Sequence, residues 1–325
     1  MTLTDGFDKI GTEYGLFLTL NPPWNWKGDE IASNFAKGRE SKMFKNLSPG
    51  AIGVSADMQQ GLTYARQFGF EGLDLNIHQA SQMAEEQSIN EVKALWDGIK
   101  MGGWSFPVAW SGPEAEYEES LARLPALAAL AAELGCFRTS TWIPPASNEK
   151  TYGENWDFHV RRFRPITQIL ADHGHALGLE FIGPRTSRAK ATHGFVYTMD
   201  GMRGLAAAIG TGNVGLLLDA WHWYTAQSTL SDLAQLYPED IVYVHVNDAP
   251  SGIDVEDQID NVRCLPAETG VISLAEFFEI LAQVGYDGPV TVEPFSQKLR
   301  EMKPEQALQA TIDSLDTVWE QAGLT

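Results

Sequence analysis

The chain has 325 residues, 44% of them hydrophobic, and 43 acidic against 23 basic side chains give it a formal net charge of −20. A surface this acidic repels the phosphate backbone of nucleic acids, and no run of 18 or more apolar residues predicts a transmembrane helix. Two cysteines, Cys136 and Cys264, define no disulfide framework, and the N-terminal sequence lacks the pattern of a secretory signal. We therefore expect a cytoplasmic protein that binds neither nucleic acid nor membrane.

Two kinds of segment alternate along the chain: short apolar runs typical of buried strands, and longer runs with helical periodicity. The predicted strands are 14–20, 72–77, 103–110, 136–143, 177–182, 214–219, 241–246 and 289–295. The predicted helices are 58–69, 89–100, 117–135, 156–174, 199–210, a weaker one near 230–237, 273–285 and 304–322. Eight strand–helix units predict an α/β fold, a single (β/α)8 TIM barrel over residues 1–325. A doubly wound open sheet is the alternative, but no GxGxxG follows the first predicted strand.

The prediction leaves a long first βα loop, 21–51, as an insertion at the catalytic face of the barrel. Trp24 and Trp26 lie in this loop. Because tryptophan rings stack well on the apolar faces of sugars and exclude water, the loop is predicted to be a lid that contacts substrate. An oligomer contact is the other interpretation of these two residues.

Four residues with metal-ligating side chains lie near the ends of four successive predicted strands. They are Glu180 in GLEFIGP, Asp219 in GLLLDAWHW, His245 in VYVHVNDAP and Glu293 in VTVEPFS. Because strand ends converge at one face of a barrel, these side chains should meet there, and three unpaired buried carboxylates would be costly. A divalent cation removes that cost. Three carboxylates and one imidazole favour Mn²⁺ or Mg²⁺, with Co²⁺, Fe²⁺ or Zn²⁺ as alternatives.

These four motifs resemble the metal-binding strand ends of the sugar phosphate isomerase/epimerase superfamily, which has a xylose-isomerase-like barrel. The superfamily includes ketose 3-epimerases, inositol-catabolism isomerases and dehydratases, and endonuclease IV. The resemblance covers most of the chain and is most specific over residues 177–296. It implies that Glu180, Asp219, His245 and Glu293 bind a metal. It further implies that His222 and Arg263 contact substrate. The sequence departs from the epimerases in GPRTSR, which has arginines where they carry a further acidic residue.

The chemistry of such a site is proton abstraction. A metal chelated by a carbonyl and a neighbouring hydroxyl acidifies the C–H between them and stabilises the enediolate that results. As in the epimerases, Glu180 and Glu293 are predicted to move the proton as well as to bind the metal. The leading prediction is a metal-dependent isomerase or epimerase of a keto-sugar or related polyol.

Other residues are weaker candidates for substrate contact. His78 directly follows the second predicted strand, and Trp142 is the next-to-last residue of the fourth predicted strand. For Arg263, an ion pair within its own loop, with Asp257, Asp260 or Glu268, is the alternative. The loops after the seventh and eighth strands form no glycine-rich phosphate cradle, so an unphosphorylated carbohydrate is expected.

Three other functions share this fold. The same proton abstraction on a 3-keto-glycoside would make the protein a lyase or deglycosidase of C- or O-glycosides. A nuclease related to endonuclease IV would need a basic groove, which a charge of −20 disfavours. A non-catalytic barrel would bind a ligand without a metal. The expected partners are a small carbohydrate and other copies of this chain in a homo-oligomer, with a different subunit as a further possibility.

Overall fold

The computed structural model describes residues 43–324. Eight parallel strands close into a barrel in which each strand pairs with its neighbours in sequence and the first pairs with the last. The strands are β1 Phe44–Leu47, β2 Gly72–Leu75, β3 Lys100–Ser105, β4 Arg138–Ile143, β5 Ala176–Phe181, β6 Val214–Asp219, β7 Ile241–Val246 and β8 Pro289–Val292. The predicted (β/α)8 barrel is confirmed.

Helices lie in the connections between the strands. They are α1 Met58–Phe68, α2 Ile77–Glu86, α3 Ile89–Leu95, α4 Glu114–Leu134, α5 Tyr152–Asp172, α6 Arg185–Arg188, α7 Met199–Ile209, α8 Ala220–Thr225, α9 Leu230–Leu233, α10 Leu274–Val284, α11 Gln297–Arg300 and α12 Pro304–Gln321. Short 3₁₀ turns lie at Pro49–Ile52, Pro238–Asp240 and Val255–Asp257, and Ala146–Ser147 pairs with His193–Gly194 outside the barrel. No helix within residues 43–324 is long and apolar enough to cross a membrane.

The core lies between the barrel and its helices. Leu177, Leu179 and Phe181 of β5 are fully buried in one apolar cluster with Phe163 and Ile166 of α5. Burial of each such side chain contributes about 1.5–3 kcal/mol to folding. The strands are thereby held rigidly, which fixes the positions of the polar residues at their carboxyl ends.

The first strand of the barrel is not the predicted one. The segment 14–20 lies outside the described residues, and the barrel closes without it, since β1 pairs with β8 from Phe44↔Pro289 onward. The sequence of β1, FKNL, is short and half polar because Asn46 points into the barrel, where it is 1% exposed. An apolar pattern therefore could not reveal it.

The predicted loop 21–51 is correspondingly wrong in its last part, where β1 and the turn Pro49–Ile52 lie. The loop between β1 and α1 spans residues 48–57. Trp24 and Trp26 lie outside the described residues, so their role in a lid stays a prediction, as does a single domain over 1–325.

Candidate functional site

The carboxyl ends of β5 to β8 bring four side chains together. Glu180, Asp219, His245 and Glu293 each offer one ligand atom, and these atoms all lie within 4.8 Å of one another. Asp219 and His245 are register partners on neighbouring strands, and Glu293 directly follows β8. The arrangement predicted from the four strand ends is therefore present.

Asp219 is fully buried and is held by three donors. Its Oδ1 accepts from Trp221 N at 2.7 Å and from Asn247 Nδ2 at 3.1 Å, while Oδ2 accepts from Arg263 Nη1 at 2.8 Å. Burial raises the pKa of Asp219, but the Arg263 guanidinium and the nearby histidines lower it to about 2. The side chain is thus a fixed carboxylate.

Two of the other three ligand-type residues, Glu180 and His245, lack hydrogen-bond partners in residues 43–324 at the atoms that face each other. Glu293 Oε2, in contrast, accepts from Arg263 Nη1 at 3.4 Å. Glu180 Oε1 and His245 Nδ1 are buried without a hydrogen-bond partner within the described residues, and they lie 3.7 Å apart. His245 Nδ1 is also 3.5 Å from Glu293 Oε2. Orphaned buried polar atoms are rare and require a partner of some kind.

The pKa shifts show what kind of partner this cluster needs. Burial, together with the charges of Glu293 and Asp219, raises the pKa of Glu180 to about 7. Burial lowers the pKa of His245, yet the carboxylates of Glu293 and Glu180 raise it well above its usual value. The cluster therefore needs positive charge, and its three carboxylates and one imidazole fit a divalent cation.

Arg263 is buried among acidic groups and does not project into an open space. Its side chain is 1% exposed, and it donates to Asp260 Oδ1 at 2.7 Å as well as to Asp219. Its Nη1 lies 3.4 Å from Glu293 Oε2, and the Phe295 ring centroid lies 4.6 Å from its Cζ. Phe295 adopts a positive φ of 38°. The ion pair with Asp260 is one of the alternatives that the sequence left open.

His222 lies directly behind the cluster on α8. It is 1% exposed; its Nδ1 accepts from Gly183 N at 3.2 Å, and its Nε2 lies 4.0 Å from Glu180 Oε1. Burial lowers its pKa to about 4, which makes the ring neutral at pH 7. The close approach of α8 requires glycine at 183, two residues after β5, where a Cβ would lie 2.4 Å from His222 O. This close packing fixes the ring beside Glu180.

A cavity of about 380 Å³ adjoins the cluster on one side. His245 and Glu293 form part of its wall, and most of the rest comes from strands β2 and β3, the loop after β1 and the first turns of α1 and α2. Buried Trp104 of β3 lines it as well. The volume is near the lower end of the range for small-molecule sites, about 300–1,000 Å³.

Two residues predicted to contact substrate lie apart from this cavity. His78 is exposed near the start of α2, and Trp142, near the end of β4, is 54% exposed. Neither lines the cavity, whereas Asn76 and Gln79, on either side of His78 in the chain, do. Substrate contact by His78 and Trp142 stays a prediction.

Sequence reasoning missed the residues that organise the site. Asn247 donates to Asp219 Oδ1 and, at 3.2 Å, to Glu293 O, which links β6 with β8. Asp248 accepts from four backbone N–H groups, three of them in residues 269–272, and so anchors the loop that carries Arg263. The signal was the sequence HVND, where two polar residues directly follow β7. Asp74 of β2, in the cavity wall, was also missed.

Taken together, the fold and site define a (β/α)8 barrel with a cluster at its carboxyl face that could hold a metal ion. Residues 62–318 match the family model described as "Xylose isomerase-like TIM barrel". The chain is a member of this family. A xylose isomerase domain protein from Alicyclobacillus acidocaldarius is 30% identical, with a TM-score of 0.78, and the match covers 86% of this chain and 99% of that one.

Two further proteins are similar to this chain, one in sequence and one in fold. An inosose isomerase from Halalkalibacterium halodurans is 30% identical over 149 residues, which are 46% of this chain and 50% of the relative. The chain thus spans about half the length of the inosose isomerases it matches. The structure of the IolI protein with a bound zinc atom shares the fold, with a TM-score of 0.70 at 18% identity over 86% of this chain and 99% of that one.

Proposed function

We propose that the protein is a divalent-metal-dependent isomerase or epimerase of an unphosphorylated keto-sugar or keto-polyol. The observation that carries the proposal is the cluster of Glu180, Asp219, His245 and Glu293 beside a cavity of sugar size. Similarity to inosose isomerases supports a cyclic or open-chain polyhydroxy ketone as the substrate class.

The four clustered side chains would hold the cation, and their mainly oxygen donor set favours Mn²⁺. A bound divalent ion supplies a Lewis acid that polarises the carbonyl oxygen of the substrate and acidifies the neighbouring C–H. Arg263 keeps Asp219 ionised and in place, so we assign it a positioning role.

Glu180 and Glu293 perform the proton transfers in this proposal. Glu180 is the next-to-last residue of β5 and Glu293 directly follows β8, and Glu293 also lines the cavity in which the substrate would bind. One carboxylate takes the proton from the carbon beside the carbonyl, and the other returns a proton to the opposite face or to the adjacent atom. His222 Nε2 lies 4.0 Å from Glu180 Oε1 and 3.2 Å from Arg263 Nη2, so the ring fills the space behind Glu180.

Hydrogen–deuterium exchange tests the proposal. Metal-loaded protein is incubated in D₂O with a keto-inositol, a ketose panel and a 3-keto-glucoside, and products are followed by NMR. Deuterium beside the carbonyl with the carbon skeleton and substituents retained supports isomerisation or epimerisation. Release of the aglycone instead supports the lyase alternative, and no exchange in any substrate contradicts the proposal.

A matched pair of variants tests the role of Glu180. Glu180→Gln keeps the shape of the side chain but removes the base, so turnover should fall by about 10²–10⁴-fold with the circular dichroism spectrum unchanged. Glu85→Gln makes the same change at an exposed position of α2 and should leave turnover unaffected. Full activity in Glu180→Gln would refute the assigned role.

A further inference from the structure

The cavity that adjoins the metal-ligand cluster is also lined by a carboxylate that the proposed chemistry does not use. Asp74 lies in β2, deep in the barrel, and is partly accessible because it borders the cavity. Strands β1 to β4 hold no other acidic residue. A carboxylate in such a place is costly unless hydrogen bonds and a ligand satisfy it.

Three donors converge on one oxygen of Asp74. Oδ1 accepts from Tyr243 OH at 2.6 Å, from Asn46 Nδ2 at 2.9 Å and from Gly103 N at 3.2 Å. Tyr243 OH and Asn46 Nδ2 are both hydrogen-bonded to Thr291 Oγ1 as well. The carboxylate is therefore locked in one orientation by a network inside the barrel.

The second oxygen has no such partner. No group in residues 43–324 donates to Asp74 Oδ2, while the side chain lines the cavity. Three other acceptors of the cavity wall are used locally, since Asn76 Oδ1 accepts from Gln79 N, Gln79 Oε1 from Met58 N and Asp57 Oδ1 from Gln60 N. Asp74 thus presents a fixed acceptor to whatever fills the cavity.

Glycines on two neighbouring strands make room for this network. A Cβ at Gly102 would lie 2.4 Å from Asn46 Oδ1, and one at Gly72 would lie 2.7 Å from the same atom. Alanine at either position would displace Asn46, which holds Asp74. The glycines at positions 72 and 102 therefore leave the space that Asn46 needs in order to donate to Asp74.

We infer that Asp74 Oδ2 accepts a hydrogen bond from a substrate hydroxyl remote from the reacting carbonyl and so selects polyhydroxylated ketones. This inference rests on the proposed function, because it assumes that the reacting carbonyl lies at the cluster of Glu180, Asp219, His245 and Glu293. His245 and Glu293 share the cavity with Asp74, so one small ring can contact all three. A site built to hydrogen-bond a hydroxyl strongly rejects an analogue that lacks it, because its buried polar group is then left unpaired.

A pair of substrates and a pair of variants test the inference. A keto-inositol and 2-hydroxycyclohexanone share the α-hydroxyketone, but only the keto-inositol has remote hydroxyls. Asp74→Asn keeps an oxygen for the three donors and turns the cavity-facing acceptor into a donor. Asp97→Asn makes the same change in charge at an exposed position.

With Asp74→Asn, kcat/KM for deuterium exchange into the keto-inositol should fall by about 10–100-fold, mainly through KM. The value for 2-hydroxycyclohexanone, the Mn²⁺ affinity and all values for Asp97→Asn should stay within about twofold of wild type. An equal loss on both substrates, or no loss on either, would overturn the inference.

Calorimetric binding of the keto-inositol separates this inference from the proposed function. If wild-type protein binds the keto-inositol without exchanging protons, the proposed function fails, and the inference is judged by whether Asp74→Asn weakens that binding. If wild-type protein binds no polyol, both are overturned.

Discussion

Strands β5 to β8 end in three carboxylates and an imidazole that converge within 4.8 Å, whereas β1 to β4 contribute one carboxylate, Asp74, and enclose a cavity. The β5–β8 half gathers three carboxylates, and a divalent cation would balance the charge that Arg263 and His245 leave; in the β1–β4 half, neutral donors hold the carboxylate of Asp74. Under the proposed function, the β5–β8 half would hold the reacting centre and the β1–β4 half would recognise the rest of the substrate. Variants on each side should therefore have separable effects.

The largest loss of stability is expected from a substitution of Arg263, which is buried among carboxylates. Arg263→Met would leave Asp219 buried beside other carboxylates without its ion-pair partner, so the free energy of unfolding of the metal-free protein should fall by about 3–5 kcal/mol. Urea denaturation measures this. Arg185→Met, which removes an arginine whose side chain is 47% exposed, should change it by no more than about 1 kcal/mol. Similar losses in the two variants would show that burial of the ion pair has no special importance.

Metal affinity should depend on the β5–β8 half alone. His245→Ala removes a proposed metal ligand, and the Mn²⁺ affinity should fall by at least about 100-fold. Loss of a residue that only supports a ligand already lowers metal affinity by about 10–100-fold, so loss of the ligand itself should cost at least as much. Calorimetric titration measures the affinity, with His78→Ala, at an exposed position after β2, as the matched control. Unchanged affinity in His245→Ala would place the metal elsewhere.

A substitution in the β1–β4 half should weaken substrate binding and leave metal affinity unchanged. Gly102→Ala would push Asn46 away from Asp74, because the added Cβ would lie 2.4 Å from Asn46 Oδ1. Unfolding free energy should fall by about 1–3 kcal/mol and substrate KM should rise, while Mn²⁺ affinity stays unchanged. Gly153→Ala, at a helical position with open space around its Cβ, is the control. A parallel loss of metal affinity in Gly102→Ala would show that the two halves are not separable.

A smaller effect concerns pH. In the metal-free protein Glu180 has a pKa raised from 4.5 to about 7, and His245 has one raised well above 6.5, whereas burial lowers the pKa of His222 and of His159 from 6.5 to about 4. The histidines with lowered pKa offset Glu180 below about pH 6.5, so the folded state holds more protons than the unfolded state between about pH 6.5 and 8. Stability should therefore decrease as pH rises through this window. Asp219, with its pKa lowered to about 2, affects stability only below about pH 4.

Thermal unfolding with a chelator present checks the sign of this effect. The Tm should fall by a few degrees from pH 6.5 to pH 8, on the order of 3 °C, and less in Glu180→Gln. Saturating Mn²⁺ should reverse the trend, because protons and the cation compete for the same side chains. A Tm that rises with pH in the chelated protein would contradict the assigned shifts.

The polar residues of the β5–β8 half could be predicted from the sequence, whereas those of the β1–β4 half could not. Glu180, Asp219 and His245 interrupt apolar strands near their carboxyl ends, and the geometry of a barrel then requires them to meet. Asn46 and Asp74 could not be recognised, because their partners come from strands far apart in the chain and a polar barrel interior leaves no hydrophobic period. For the same reason β1 was missed and a strand was predicted at 14–20 instead.

Arg263 shows what local spacing can and cannot reveal. The family resemblance implied substrate contact, which stays a prediction, and the ion pair with Asp260, three residues away, was an alternative that the loop sequence offered. The pairing of Arg263 with Asp219 was not predicted. Which carboxylates surround an arginine depends on how its loop folds, and here the loop is fixed by backbone bonds to Asp248. Such long-range contacts are not encoded in local spacing.

The backbone at Phe295 has a consequence for how this fold can change over evolution. A positive φ costs a residue with a Cβ about 1–3 kcal/mol, and glycine at this position would recover that energy. Glycine would also uncover the guanidinium of Arg263, which Phe295 now shields from water. Selection for stability would therefore favour glycine at position 295, whereas selection for a site that excludes water would favour phenylalanine. We expect a more stable but less active descendant to carry a substitution at this position.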